Sequence, residues 1–181
     1  MDITVSVEPA REPFLLNDVK QHIQVEHDGD DAYIMSIARA ARSVVENYTK
    51  LALITRTLVV DFDADEAVSP ISLPIGPLGA VSAVVYYDYD GTSNTVAVAN
   101  YYVAGTTPAR LVAYNSGWYR YRTTKAVRVT YTAGYGADET YIPDDLMHAL
   151  KIVVHGLWTD PLAKDIPMAA RFLMDPYVRR V

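Results

Sequence analysis

Residues 126–158, AVRVTYTAGYGADETYIPDDLMHALKIVVHGLW, join two kinds of periodicity in one continuous run. Val127, Val129, Tyr131 and Ala133 alternate with Arg128, Thr130 and Thr132, the period-two pattern of a strand with one buried face. After a Gly134-Tyr135-Gly136 corner the period becomes helical. Pro143 suits a first helical turn, where its missing N–H costs nothing, and Asp144 and Asp145 complement the positive end of the helix dipole. On a 3.6-residue wheel Ile142, Leu146, Ala149, Leu150, Val153 and Leu157 share an arc of roughly 100°, as a core face does. Lys151, His148 and His155 fall opposite. A second apolar seam, Met147, Val154 and Trp158, flanks the first. Such a seam either meets a neighbouring subunit or is covered by the rest of its own chain.

Upstream, residues 31–50 give the clearest amphipathic helix: Ile34, Ile37, Ala38, Ala41, Val44, Val45 and Tyr48 on one face, Arg39, Ser43, Glu46 and Lys50 on the other. Arg42–Glu46 and Glu46–Lys50 stand at the supportive i,i+4 spacing. Burying its large apolar side chains at about 1.5–3 kcal/mol each favours docking, with the helix of residues 143–159 as partner. A short helix begins at Asn17, with Val19 and Ile23 on its inner side. Between the long helices, residues 54–62, 81–87, 101–103, 111–114 and 127–133 read as strands, separated by turn signals such as Asp90-Gly91 and Asn115-Ser116-Gly117. The expected class is therefore α+β: a helical frame with an antiparallel β unit, residues 54–134, inserted between its two long helices. Residues 1–13, polar and proline-punctuated, read as an N-terminal arm. Residues 165–181 form a C-terminal segment that includes a short helix.

The chain has 181 residues, half of them hydrophobic and a fifth charged, a net charge of −6 and no cysteine. That length suits one domain carrying an insertion. Disulfides and thiolate metal sites are excluded, no apolar run reaches membrane-spanning length, and the first residues lack a signal-peptide pattern. A general phosphate-wrapping nucleic-acid binder is disfavoured by the acidity. The loop His27-Asp28-Gly29-Asp30-Asp31 lacks the ligand spacing and closing glutamate of an EF-hand and reads as an acidic helix start. Phosphate-binding glycine loops, nucleophile elbows and zinc-protease motifs do not occur. His148 and His155, seven residues apart on one helix, span about 10 Å and do not chelate together. The expectation is a protein that is not an enzyme and holds no cofactor or metal.

The run 115–125, NSGWYRYRTTK, interleaves Trp118, Tyr119 and Tyr121 with Arg120, Arg122 and Lys125. Trp, Tyr and Arg mark protein contacts; the same pattern also suits packing within the subunit, or stacking on bases or sugars.

Taken in order, ENYTKLALITRT, ISLPIGPLGAVSAV, PARLV, AVRVTYTAGYG, IPDDLMHALKIVVHGLW and FLMDPYVRR resemble the head-to-tail connector (adaptor) proteins of long-tailed bacteriophages and gene transfer agents. The likeness spans residues 16–179 and rests most on LPIGPL, residues 73–78, and VTYTAGYG, residues 129–136. Lys50 departs from it, standing where such proteins often carry a glycine after the Tyr-Thr that closes the long helix. The expectation there is a helix end without the left-handed glycine cap.

The resemblance implies one connector domain over residues 1–181 and a virion protein of the head-to-tail neck, made and assembled in the bacterial cytoplasm. It implies a homo-oligomeric ring, typically of twelve subunits, beneath the portal protein. Such a ring continues the channel through which double-stranded DNA passes without specific binding, and it receives a tail-side stopper or tail terminator protein. Membranes have no part in it. Phe172, Leu173, Pro176, Tyr177, Arg179 and Arg180 are the implied portal contacts. The seam of Met147, Val154 and Trp158 offers a subunit interface, since a ring needs two different surfaces per copy. Trp118, Tyr119, Arg120, Tyr121 and Arg122 offer a further protein contact. The competing reading is a β-rich carbohydrate-binding or adhesion module with the tyrosines and Trp118 as its sugar platform.

Overall fold

The structure, a computed structural model, describes residues 1–114, 117–162 and 165–178. The chain is α+β and divides into two compact units, a helical one formed by Ala10–Ile54 with Tyr135–Arg180 and a β unit formed by Met1–Pro9 with Thr55–Gly134.

In the helical unit, α1 (Leu16–Ile23), α2 (Asp31–Thr49), α3 (Asp144–Thr159) and α4 (Met168–Met174) surround one apolar core. Ile34, Ile37, Ala38, Ala41 and Val45 of α2 face Leu146, Ala149, Leu150 and Val153 of α3, all buried, so the helical wheels give the packing faces of both. Helix α3 touches α1, α2 and α4 alike. Three neighbours leave a helix little free surface, and Val154, 1% exposed, belongs to the core. Met147, Leu157 and Trp158 are half-buried against it.

The end of α2 corrects the expectation drawn from Lys50. Lys50 adopts the left-handed conformation itself, at φ 59° and ψ 34°, and its N–H donates to the Glu46 carbonyl at 2.8 Å. The geometry of the glycine cap is thus kept with a residue that has a Cβ, at a cost of roughly 1–2 kcal/mol. Neighbouring contacts hold the turn in place. Thr49 Oγ1 donates to the Val45 carbonyl and accepts the Leu51 N–H, while Glu46 Oε1 accepts the Leu53 N–H. Before α3, Gly136 is fixed by space: a Cβ there would run into the Tyr141 side chain.

The acidic loop between α1 and α2 is neutralised from within. Lys20 Nζ lies 2.6 Å from Asp28 Oδ1 and 2.8 Å from Asp31 Oδ1, with Lys20 almost wholly buried. The ammonium stands between the carboxylates, where a calcium reading would have put a metal.

The β unit contains β1 (Asp2–Val7), β2 (Arg56–Phe62), β3 (Ile71–Ser72), β4 (Leu78–Tyr87), β5 (Ser93–Thr95), β6 (Tyr101–Ala104), β7 (Arg110–Ala113) and β8 (Val127–Ala133). They form a five-stranded sheet in the order β1-β2-β8-β4-β5 and a three-stranded sheet in the order β3-β7-β6, antiparallel throughout. Along β8, Val127, Val129, Tyr131 and Ala133 are buried, and across the ladder Phe62, Val60 and Leu58 of β2 share their face. The Tyr131 hydroxyl reaches into the segment after β3, accepting the Ile75 N–H at 3.3 Å and donating to its carbonyl at 3.2 Å. Residues 2–7 of the stretch read as an arm are a strand: Asp2 to Val5 pair in register with Asp61 to Leu58 of β2.

Candidate docking surfaces

The aromatic run after β7 splits into an anchor and a platform. Trp118 is 5% exposed and packs its ring 6.0 Å from Tyr101. That burial removes it from any contact surface, because an indole enclosed by its own subunit has no face left to offer. Tyr119 and Tyr121, two residues apart, both emerge and lie with near-parallel rings 6.0 Å apart. Tyr86, at the end of β4, receives Tyr119 at 4.4 Å and Tyr121 at 5.8 Å, and Tyr89 closes on Tyr121 at 5.6 Å. Burial, with Asp88 nearby, raises the Tyr86 hydroxyl pKa above its usual value. Ring-on-ring packing holds four tyrosines at low conformational cost, a property of protein-binding surfaces. Tyr86 and Tyr89 were not singled out in the sequence; the run Tyr86-Tyr87-Asp88-Tyr89 was their signal.

On the sheet face that carries Tyr87, charged side chains pair with one another. Arg128 Nε and Nη2 donate to Asp61 Oδ1 and Oδ2 at 2.6 and 2.9 Å, a bidentate pair. The guanidinium holds the Asp61 carboxyl below its usual range and is itself held more firmly protonated. Lys125 Nζ approaches Asp61 and Asp2 at 3.7 and 3.6 Å. Arg122 and Arg128 stand over the Tyr87 ring at 5.8 and 5.7 Å, and Arg120 donates to the Ala64 carbonyl at 3.3 Å. These arginines are pinned against the protein, a poor arrangement for gripping phosphates.

In the helical unit the C-terminal residues separate in the same way. Helix α4 buries Ala170 and Met174 and presents Met168 and Phe172, one turn apart, with Phe172 77% exposed. Pro176 is exposed, and Leu173 and Tyr177 are half-buried against the helical core. Arg179 and Arg180 lie outside the described residues. The segment is tied down by Tyr48, whose hydroxyl donates to Asp175 at 2.6 Å, and by Tyr177, whose hydroxyl lies 3.4 Å from Asp145. Burial, with Tyr177 nearby, pushes the Tyr135 hydroxyl up to about 12. Of the α3 seam, Val154 lies wholly inside, and Trp158 keeps one side against Tyr33 of α2 at 5.9 Å. Only the half-buried edges of Met147 and Trp158 remain for a neighbour.

His22 of α1 sits between His148 and His155 of α3, ring centroids 6.3 and 6.2 Å away and edge to face. Among the described residues no group of three or more His, Cys, Asp and Glu side chains is arranged to hold a metal.

The chain is thus a two-unit α+β protein with an exposed apolar face on its C-terminal helix and a cluster of packed tyrosines. Residues 14–110, a little over half of the chain, match the family described as phage gp6-like head-tail connector proteins, and the chain belongs to that family. No curated protein sequence matches it. Among solved structures, the fold is that of a chain in the neck of an empty gene transfer agent particle computed with C6 symmetry, at a TM-score of 0.84 and 22% identity, covering 100% of this chain and 97% of that one. A chain in the virion of a native gene transfer agent particle gives the same figures. One in the neck of a native particle computed with C12 symmetry gives a TM-score of 0.82 and 23% identity over the same shares.

Proposed function

We propose that this protein is a structural subunit of a virion neck, forming a ring of twelve copies beneath the portal that joins the DNA-filled head to the tail. The family match over residues 14–110 carries the reading, and the whole-chain likeness in fold to neck chains of cyclic symmetry supports it. The role is mechanical and needs no catalysis or cofactor. Its partners are further copies of itself, the portal on one side and a stopper or tail terminator on the other, with assembly in the bacterial cytoplasm.

Phe172, with Leu173, Pro176 and Tyr177, is the portal contact in this reading, together with Arg179 and Arg180, which follow Val178 in the chain. An exposed phenylalanine one turn from an exposed methionine is the kind of anchor an apolar pocket accepts. Tyr119 and Tyr121, with Tyr86 and Tyr89, form a second docking surface. The net charge of −6 presents like charge to passing duplex, so DNA slides through without adhering. The competing sugar-platform reading loses Trp118, which is buried within its own subunit.

The test is capture of the cognate portal by the purified protein, with Phe172→Asp as the variant. Phe172 is exposed, so the variant keeps its fold and melting temperature while portal capture is lost. A folded Phe172→Asp protein that still captures the portal removes this contact, and a wild-type protein that never does so removes the neck reading.

A further inference from the structure

Among the described residues the two sheets of the β unit have four terminal strands, of which β1 and β6 have edges suited to pairing. In the five-stranded sheet β1 is terminal: one edge is laddered to β2, and among the described residues no strand lies on the other. In the three-stranded sheet β6 is terminal beyond β7. Soluble proteins protect such edges with lysine, proline or a covering element, because a row of unpaired N–H and C=O groups accepts any strand. Neither stretch contains lysine or proline, although the Tyr101 N–H is already taken by the Val98 carbonyl. Along residues 2–7, DITVSV, the single irregularity falls between Val5 and Val7, leaving residues 2–5 regular. Residues 101–104, YYVA, carry no charge at all.

Both edges also expose apolar side chains. Ile3 and Val5 stand opposite Val60 and Leu58, which are fully buried, yet they are themselves 39% and 36% exposed. The apolar face of the sheet runs out to its margin without a cover. At the other edge Tyr102 and Val103 are exposed. The remaining terminal strands suit pairing poorly, since β3 has two residues and β5 has three polar ones. The two candidate edges belong to different sheets.

A strand edge specifies the chemistry of its partner, which is another strand, and this chain supplies a second one in its other sheet, four residues long against the six of β1. We infer that β1 of one copy adds to the β6 edge of the next, so that neighbouring subunits are stitched head to tail by strand pairing. This rests on the ring reading, since a contact between two different edges is heterologous and can close into a ring by rotation.

The absence of native cysteine makes the test direct. Double variants placing cysteine at position 3 or 5 and at position 102 or 103 are assembled with the cognate portal, treated with a short bis-maleimide and run under denaturing conditions. Ring formation is followed separately by mass measurement of the untreated sample. At least one double variant is expected to give a ladder of covalent oligomers rising to the full ring, with the Ile3→Cys and Val103→Cys single variants giving none. Rings by mass with no ladder from any double variant overturn strand stitching while leaving the ring in place. A covalent dimer from Ile3→Cys alone also overturns it, because β1 then meets β1 across a two-fold axis, as does linkage of position 3 to the portal. Failure of every arm, wild type included, to assemble overturns the stitching and the ring reading together.

Discussion

Replacing Lys50 with glycine is expected to stabilise the protein. Lys50 closes α2 in the left-handed region at φ 59° and ψ 34°, a conformation that costs a residue with a Cβ roughly 1–2 kcal/mol and glycine nothing. Glycine gives back part of that through its larger freedom in the unfolded chain, about 0.5–1 kcal/mol. The Lys50 side chain is exposed, and the cap hydrogen bond from its N–H to the Glu46 carbonyl survives the change. The net gain is about 0.5–1 kcal/mol, or a rise in Tm of roughly 1–4 °C for a chain of this size. Lys50→Val is the matching control: a β-branched residue fits this region worst and is expected to lower stability by about 1 kcal/mol or more. Urea unfolding of the three proteins, followed by far-UV circular dichroism with m-values compared, measures both shifts. A Lys50→Gly protein less stable than wild type, or a Lys50→Val protein equal to it, would refute the strained-cap argument.

Arg128→Met leaves the Asp61 carboxylate buried without its bidentate partner and is expected to cost about 1–3 kcal/mol at pH 7, a range reduced because the arginine is partly open to solvent. Arg128 holds the folded-state pKa of Asp61 down, so the stabilisation is present above the unfolded value near 3.9 and fades as pH falls through the folded one. Urea titrations at pH 7 and pH 3 should therefore show the gap between variant and wild type closing in acid. At His22, burial and then His155, Lys151 and His148 lower the pKa. The unfolded chain takes the proton first, and stability present above about pH 6.5 is lost below it; His22→Gln should flatten the melting temperature between pH 7 and pH 5. Gly136→Ala forces a Cβ into the Tyr141 side chain, at an expected cost of about 1–3 kcal/mol by calorimetry. Trp118→Ala should cost about 3 kcal/mol in chemical denaturation, while the Tyr119→Ser, Tyr121→Ser double variant should leave folding within about 1 kcal/mol of wild type.

What the sequence made legible follows from where each side chain ended up. Residues 127–133 and the two long helices were readable because burial on one face imposes a period, and Val127, Val129 and Tyr131 or Ile34, Ile37 and Ala41 keep it without interruption. The α+β class and the antiparallel sheets followed from those periods. β1 was missed although Ile3, Val5 and Val7 alternate with polar residues, since an exposed edge strand is held by its ladder to β2, a partner about fifty residues away that no local pattern announces. The two readings of Val154 stayed open in the sequence for a related reason. A wheel divides a helix into inside and outside, whereas α3 has three neighbouring helices in its own unit, and a second apolar seam is what such a centre requires. Trp118 and Tyr119 are adjacent in one aromatic run, yet the first is an anchor and the second a surface ring; composition cannot separate them, because only the Tyr101 and Tyr86 rings that receive them decide which is which. Lys50 shows that a cap is dictated by backbone hydrogen bonding, with residue preference following behind.

The most direct measurement is imaging by electron microscopy of the protein assembled with its cognate portal, with the mass of the complex measured in parallel. The account predicts a closed annulus of twelve copies seated against the portal with an open central channel. A protein that remains a single, self-contained copy under those conditions, and is missing from the neck of the particles made beside it, would contradict it.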